Sequence, residues 1–151
     1  MTDWLPWRAD DGYTVRRPMS WEVHEEEGDL VFLAPDTGGP LRARLTVNRE
    51  RLDHVPALDD VTAARLRELP AALAEFQLLD LEQLTLGSRP AHRVLATCRD
   101  ADLSVTLEQW WSVDGASVIT LTGVVATMEY DDLADVLAGM AASFETTGDG
   151  A

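Results

Sequence analysis

Three histidines, one cysteine and several paired acids are the residues of this chain that could move a proton, attack a carbonyl or hold a metal. A zinc site wants two histidines one helical turn apart, or a Cys-x-x-Cys pair. His24, His54 and His92 are dispersed, and Cys98 stands alone. His24 leads into Glu25, Glu26 and Glu27, a run that reads more simply as a solvated acidic turn than as a weak metal site. His54 follows Asp53 in a polar loop. Cys98 and His92 fall on one face of one predicted strand. Six residues at ~3.3 Å each part them by about 20 Å, far beyond the reach of a nucleophile–base dyad. Cys98 alternates in phase with Val94 and Ala96 and reads as a small buried residue. Ser88 in Gly87-Ser88-Arg89 lacks the glycine-flanked elbow of a hydrolase nucleophile. Asp59-Asp60 and Asp131-Asp132 stand where helices should start, a place for capping rather than acid–base work. Asp10-Asp11 is a third such pair. No phosphate-cradling glycine motif occurs; Gly38-Gly39 is a turn. These residues indicate no catalytic, metal or cofactor site, and an enzyme is not expected.

Two features suit binding instead. Trp4, Trp7 and Trp110 are aromatic anchors of the kind enriched at interfaces. Trp4 and Trp7 are also compatible with an arm folded over its own sheet. Arg42 and Arg44, with Arg49 nearby, form a cationic row able to receive a carboxylate or an acidic segment, although pairing with the chain's own acids is the simpler account.

The charge balance narrows the partners. Of 151 residues, 27 are acidic and 12 basic, for a net charge of −15, and every base is arginine. Such a surface opposes binding to nucleic acid and to anionic membranes, both of which rely on excess Lys and Arg. It suits a basic partner or plain solubility, the reading preferred here. The absence of lysine suits a GC-rich codon usage. One cysteine allows no internal disulfide. The opening MTDWLPWRADDG has no basic start followed by an apolar run and no lipidation cysteine. No stretch of ~18 apolar residues occurs. A cytoplasmic location is therefore expected.

The elements that must position these residues are legible from periodicity. Leu103 to Phe144 holds two long β-rich runs about Asp114-Gly115, then an amphipathic helix. Asp-Gly suits a type I′ turn, which would set Trp111 against Val118 and Trp110 against Ile119. Leu133, Val136, Leu137, Met140, Ala141 and Phe144 form one helical stripe, with Asp131 or Asp132 as its cap. Upstream, strands are expected at 13–17, 21–24, 30–34 and 41–48. A helix from Asp59 or Asp60 follows, kinked or divided at Pro70. Strands at 78–86 and 91–99 flank Gly87-Ser88-Arg89-Pro90. Adjacent hairpins with two helices make an α+β fold rather than a parallel βαβ series. The organisation expected is an arm at 1–12, one domain at 13–145 and a frayed tail at 146–151.

Pro18-Met19-Ser20-Trp21, Leu30 to Pro35, Thr46-Val47-Asn48, Leu86 to Arg93, Gln109-Trp110-Trp111 and the helix ending Ala142-Ser143-Phe144 recur in order. Together they resemble the LpqN-like group of the Mog/PsbP-like fold. That fold also holds DcrB-type bacterial proteins, photosystem II extrinsic subunits and a nuclear Ran-binding factor. The resemblance implies an α/β/α sandwich with an antiparallel sheet of about six or seven strands, and a binding or assembly role without a catalytic residue to transfer. Many bacterial members look like lipoproteins or secreted proteins, whereas this N-terminus shows no export signal. The expected function is thus a non-catalytic protein-binding module using Trp110, the Trp4/Trp7 arm and the Arg42/Arg44 row, or a homodimer. The alternative is a carrier of a small apolar ligand, with a pocket between the sheet and the first helix near Pro70, Leu73 and Phe76.

Overall fold

The computed structural model describes residues 4–8 and 12–146. Five strands precede the first helix: Trp4–Arg8 (β1), Tyr13–Pro18 (β2), Glu22–Glu26 (β3), Asp29–Leu33 (β4) and Arg44–Arg51 (β5). After helix Leu58–Ala72 (α1) come Ala74–Leu86 (β6), Arg89–Asp100 (β7), Leu103–Asp114 (β8) and Ser117–Ala126 (β9). Helix Tyr130–Ala142 (α2) and the short strand Glu145–Thr146 (β10) follow. A seven-stranded antiparallel sheet runs β3-β4-β5-β9-β8-β7-β6, and a three-stranded sheet runs β1-β2-β10. This is the expected α+β class. β8 and β9 carry the longest β-branched and aromatic runs and lie inside the large sheet, where both faces are covered.

Strand alternation divides the large sheet into two faces. One carries Leu30, Phe32, Leu45, Val47, Ile119, Leu121 and Trp110 beneath α2, whose Leu137, Met140 and Ala141 are buried against it. Gly123 permits this approach. A Cβ there would lie 3.2 Å from Leu137 Cδ1, tighter than an ordinary contact, so the glycine lets the helix sit close without displacing that side chain. The other face carries Val94, Ala96, Trp111 and Val118 beneath Val61, Leu66 and Leu69 of α1. The small sheet flanks α2: the Tyr13 and Phe144 rings lie 5.4 Å apart, and Arg16 N–H donates to Ser143 Oγ at 2.8 Å.

Three expectations are corrected. The β8–β9 hairpin closes on Gly115 and Ala116, not on Asp114 and Gly115, so Trp111 faces Thr120 and Trp110 faces Leu121. Of the two loop residues only Gly115 takes a positive φ (58°), as in a II′-type turn, while Asp114 stays in the ladder opposite Ser117. The shift is two residues, so every side chain keeps its face. Second, Pro70 neither kinks nor divides α1. It falls in the last turn, where the helix ends two residues later and Leu73 N–H still reaches Leu69 O at 2.9 Å. Third, Asp131 and Asp132 lie inside the first turn of α2 and make no side-chain cap, so they act on the helix dipole alone. Residues 4–8 of the expected arm form a strand paired to β2, with Trp4 opposite Pro18 and Trp7 opposite Val15. The tail expected from 146 lies, after Thr146, outside the described residues.

Candidate functional site

His92 on β7 and Thr62 on α1 are both buried and hydrogen-bonded to each other, and Asp59 Oδ1 stands 4.0 Å from His92 Nε2. An acid, an imidazole and a hydroxyl in line resemble a nucleophile relay. The environment argues otherwise. Trp111 Nε1–H donates to Thr62 Oγ1 at 2.7 Å, so the hydroxyl is held by the indole as well as by His92 Nδ1. The Asp59 side chain is 93% exposed and only at the outer limit of ion-pair distance. Thr62, His92 and Trp111 are all buried, so the group fastens α1 to the sheet. Cys98 and His92 occupy one face of β7 six positions apart, and burial pushes the Cys98 thiol up, away from the reactive thiolate.

A cleft of about 470 Å³ opens between β6–β8 and α2. Its floor is Leu84, Leu86 and Trp110, and α2 contributes the small side chains Ala134, Ala138, Ala141 and Ala142. At one end lies Glu108, 2% exposed in the middle of β8 and next to the buried Leu107. Its carboxylate accepts from Arg93 Nε at 2.6 Å and from Tyr130 Oη at 3.0 Å. Arg93 is opposite Trp110 across the ladder and also reaches Asp80 at 3.2 Å and Glu82 at 3.6 Å. Burial alone would lower Arg93, but the hydrogen bond and charge of Glu108 outweigh it and hold the guanidinium above its ordinary value. Burial and then the Glu108 charge push the Tyr130 hydroxyl up, so it stays a donor. Glu82, Glu108 and Asp135 against the single cation Arg93 leave the cleft acidic.

Beside this cleft runs the edge of the sheet. β6 is 13 residues long and has β7 on one side and no described strand on the other. Leu78, Leu79 and Leu81 are 46%, 57% and 44% exposed. The pairing to β7 shifts register between Ala74 and Gln77 and between Leu78 and Asp80, yet runs unbroken from Asp80 to Leu86. The opposite edge, β3, is five residues long and carries Glu22, His24, Glu25 and Glu26, a short charged border of the kind that resists pairing.

The expected binding residues are dispersed. Trp110 is corrected from a partly covered face to the core, at 3% exposure, because α2 and the ends of β6 and β7 close over it. Trp4 and Trp7 are partly buried against that same core, with the Trp4 ring lying where a Cβ on Gly139 would be 3.1 Å away. Arg42 precedes β5; its Nε donates to Ala34 O at 2.6 Å and its Nη2 lies 3.2 Å from Glu22. Arg49 pairs with Asp114 at 3.4 Å. Arg44 alone of the row stays exposed, with no carboxylate within 4.0 Å among the described residues. The hollow beside Phe76, where an apolar pocket is expected, is lined by Glu75, Gln77, Thr97, Cys98, Arg99 and Ser104 and is polar; Pro70 and Leu73 do not line it. Sequence reading missed Glu108. Its signal was a lone carboxylate inside Val105 to Trp111 with Arg93 on the preceding strand.

No family model matches the sequence, and no curated protein matches it. Solved structures do match. The chain is similar to LpqN of Mycobacterium tuberculosis, described as involved in cell envelope biogenesis, at 18% identity and a TM-score of 0.73, covering 94% of this chain and 89% of that one. It is similar to cyanobacterial PsbP of Synechocystis at 15% identity and a TM-score of 0.71, covering 97% and 94%. It is also similar to the Ran-binding protein Mog1p of Saccharomyces cerevisiae, at 12% identity and a TM-score of 0.66, covering 97% of each. These identities establish architecture alone. They also correct the cytoplasmic expectation, because the same fold serves a protein of cell envelope biogenesis. No helix of the described residues is long and apolar enough to cross a membrane, which leaves the compartment unassigned. With its seven-stranded antiparallel sheet between α1 and α2 and its small flanking sheet, the chain has the Mog/PsbP-like fold.

Proposed function

We propose that this protein is a non-catalytic binding module that docks an extended, basic segment of a partner protein along the outer edge of β6. The observation that carries the reading is that edge itself: a long strand, bare on one side, with three exposed leucines. An exposed edge offers unpaired backbone groups, and an added strand gains main-chain hydrogen bonds along its length. The two faces of β6 then select alternate side chains. Leu78 and Leu81 share the α1 side with Ala96 and Val94, while Asp80 and Glu82 share the α2 side with Leu95 and Arg93. The matching partner alternates apolar residues with Lys or Arg. A second copy matches poorly: antiparallel pairing about Leu81 would set Asp80 against Glu82, and like charges directly opposite are destabilising. That a structural neighbour is described as Ran-binding accords with a protein-docking role on this fold.

The test is a synthetic peptide alternating lysine with valine, titrated into isotope-labelled protein. Amide signals from Gln77 to Thr85 should shift and gain exchange protection. Asp80→Lys combined with Glu82→Lys should lose that peptide and accept one alternating glutamate with valine. Shifts confined to other strands, or equal binding by the charge-reversed protein, would sink the reading. Concentration-dependent dimerisation that protects β6 would assign the edge to a second copy instead.

A further inference from the structure

A different face of the molecule carries a second assignment, independent of the β6 edge. On the α1 side of the sheet, α1 covers β7 and β8 but leaves part of β5 and β9 open. Arg44, Thr46 and Asn48 of β5 stand opposite Val124, Thr122 and Thr120 of β9, and Gln109 of β8 stands opposite Thr122. With Asp29 and Arg65 these residues line a hollow of about 340 Å³. Its lining is a field of hydroxyls and amides with Val124 as the only aliphatic side chain, although it lies on the same face as the apolar cluster of Val94, Ala96, Trp111 and Val118.

Two guanidiniums converge there. Arg65 reaches down from α1, with its Cζ 5.5 Å from the centroid of the Trp111 ring. Its Nη2 donates to Thr120 Oγ1 at 2.9 Å and its Nη1 to Gln109 Oε1 at 3.4 Å, both neutral acceptors. Glu68 and Glu50 act on it only at longer range, and burial lowers its pKa, the mark of a cation desolvated without a close counter-ion. Arg44 has no carboxylate within 4.0 Å among the described residues. By contrast, Arg42, Arg49, Arg89, Arg93 and Arg99 each have one. Asp29, the one acid of the hollow, accepts from Asn48 Nδ2 at 2.7 Å. In a chain with 27 acids and 12 bases, two arginines without an ion-paired carboxylate thus share one polar floor.

We propose that the Arg44–Arg65 hollow is a binding site for a small organic anion bearing a carboxylate or phosphate group. Planar guanidinium forks match both groups through paired N–H donors, and charge-assisted hydrogen bonds of this kind are the stronger class. Thr46 and Thr122 add hydroxyl donors to the same lining, and Arg65 is already oriented by Trp111, Thr120 and Gln109, so little of its side-chain freedom remains to be lost on binding.

The test is a titration of succinate, and separately of inorganic phosphate, into the labelled full-length protein in chloride buffer. Amide signals of Thr46, Asn48, Thr120 and Thr122 and the Arg65 Nε–H signal should shift together and saturate in the millimolar range. Succinate binding more tightly would assign a carboxylate ligand, and phosphate binding more tightly a phosphorylated one. Arg44→Gln, an exposed position whose loss does not threaten folding, should weaken binding by at least about tenfold, the worth of one charge-assisted contact. Arg16→Gln, an exposed arginine elsewhere, should leave it unchanged. The assignment is overturned if neither anion shifts these signals, if the shifts fail to saturate, or if Arg16→Gln weakens binding as much as Arg44→Gln does.

Discussion

The buried Glu108–Arg93 pair allows a quantitative test of how this sheet is held together. Consider Arg93→Leu. The Glu108 side chain is 2% exposed and has two partners, the Arg93 Nε at 2.6 Å and the Tyr130 hydroxyl at 3.0 Å. Removing the guanidinium leaves a buried carboxylate with a single neutral donor. Breaking such a pair costs about 3–5 kcal/mol, and the lower end applies because the Arg93 side chain is 16% exposed and borders an open cleft. A loss of about 3 kcal/mol lowers the folded-to-unfolded ratio roughly a hundredfold. Glu108→Leu should cost less. Arg93 then keeps Asp80 and Glu82 in water, and the orphaned group is the Tyr130 hydroxyl, worth about 1–3 kcal/mol. The double variant Arg93→Leu/Glu108→Leu should be more stable than Arg93→Leu alone, because replacing both members of a buried pair with apolar groups removes the uncompensated charge. Urea unfolding followed by tryptophan fluorescence measures all four proteins, with unchanged m-values required for comparison. An Arg93→Leu loss below about 1 kcal/mol, or a double variant equal to the sum of the singles, would falsify the claim that these charges are coupled in a desolvated site.

Other perturbations probe the remaining contacts. Thr62→Val removes the acceptor of Trp111 Nε1–H and the partner of His92, so urea unfolding should show a loss of about 1–3 kcal/mol; an unchanged midpoint would mean that water replaces the hydroxyl. Gly123→Ala should destabilise by about 1–3 kcal/mol, since its Cβ meets the buried Leu137 at 3.2 Å and α2 must move outward; a rise in melting temperature would show that the helix has slack. The raised Tyr130 value has a definite sign. The folded state holds the phenolic proton longer than the unfolded chain, so the stability it contributes is present below the ordinary tyrosine value of about 10 and is lost as pH climbs through the folded value. Tyr130→Phe should flatten that alkaline loss in unfolding measured against pH, and an identical slope would refute the assignment. The raised Cys98 thiol should resist alkylation at neutral pH and react at the rate of a free thiol only in urea.

What could be read without coordinates was whatever local periodicity encodes. Alternation in Leu41–Asn48 placed Leu45 and Val47 inward and Arg44 outward, and all three lie so. The stripe from Leu133 to Phe144 gave α2 its buried face, and the two long apolar runs after Leu103 became the central pair of the sheet. Periodicity does not report what lies across a face. Trp110 looked half-exposed because its strand neighbours are Glu108 and Ser112, yet α2 arrives from farther along the chain to bury it. The same arrival buried Glu108 and obliged Arg93 and Tyr130 to meet it. The turn at Gly115 came out one residue late because Asp-Gly, Gly-Ala and their turn types differ by little, while the ladder through ten residue pairs decides between them. Strand order is likewise nonlocal: a strand of mixed leucines and acids such as residues 74–86 reads the same with one neighbour or two. The convergence of Arg44 and Arg65, 21 positions apart on a strand and a helix, depends on α1 crossing the sheet where it does. The sequence by itself determined the elements and their inward faces, through side-chain spacing; only the tertiary structure decided which edge stays bare and which charges share a site, because burial and pairing are set by segments remote in the chain.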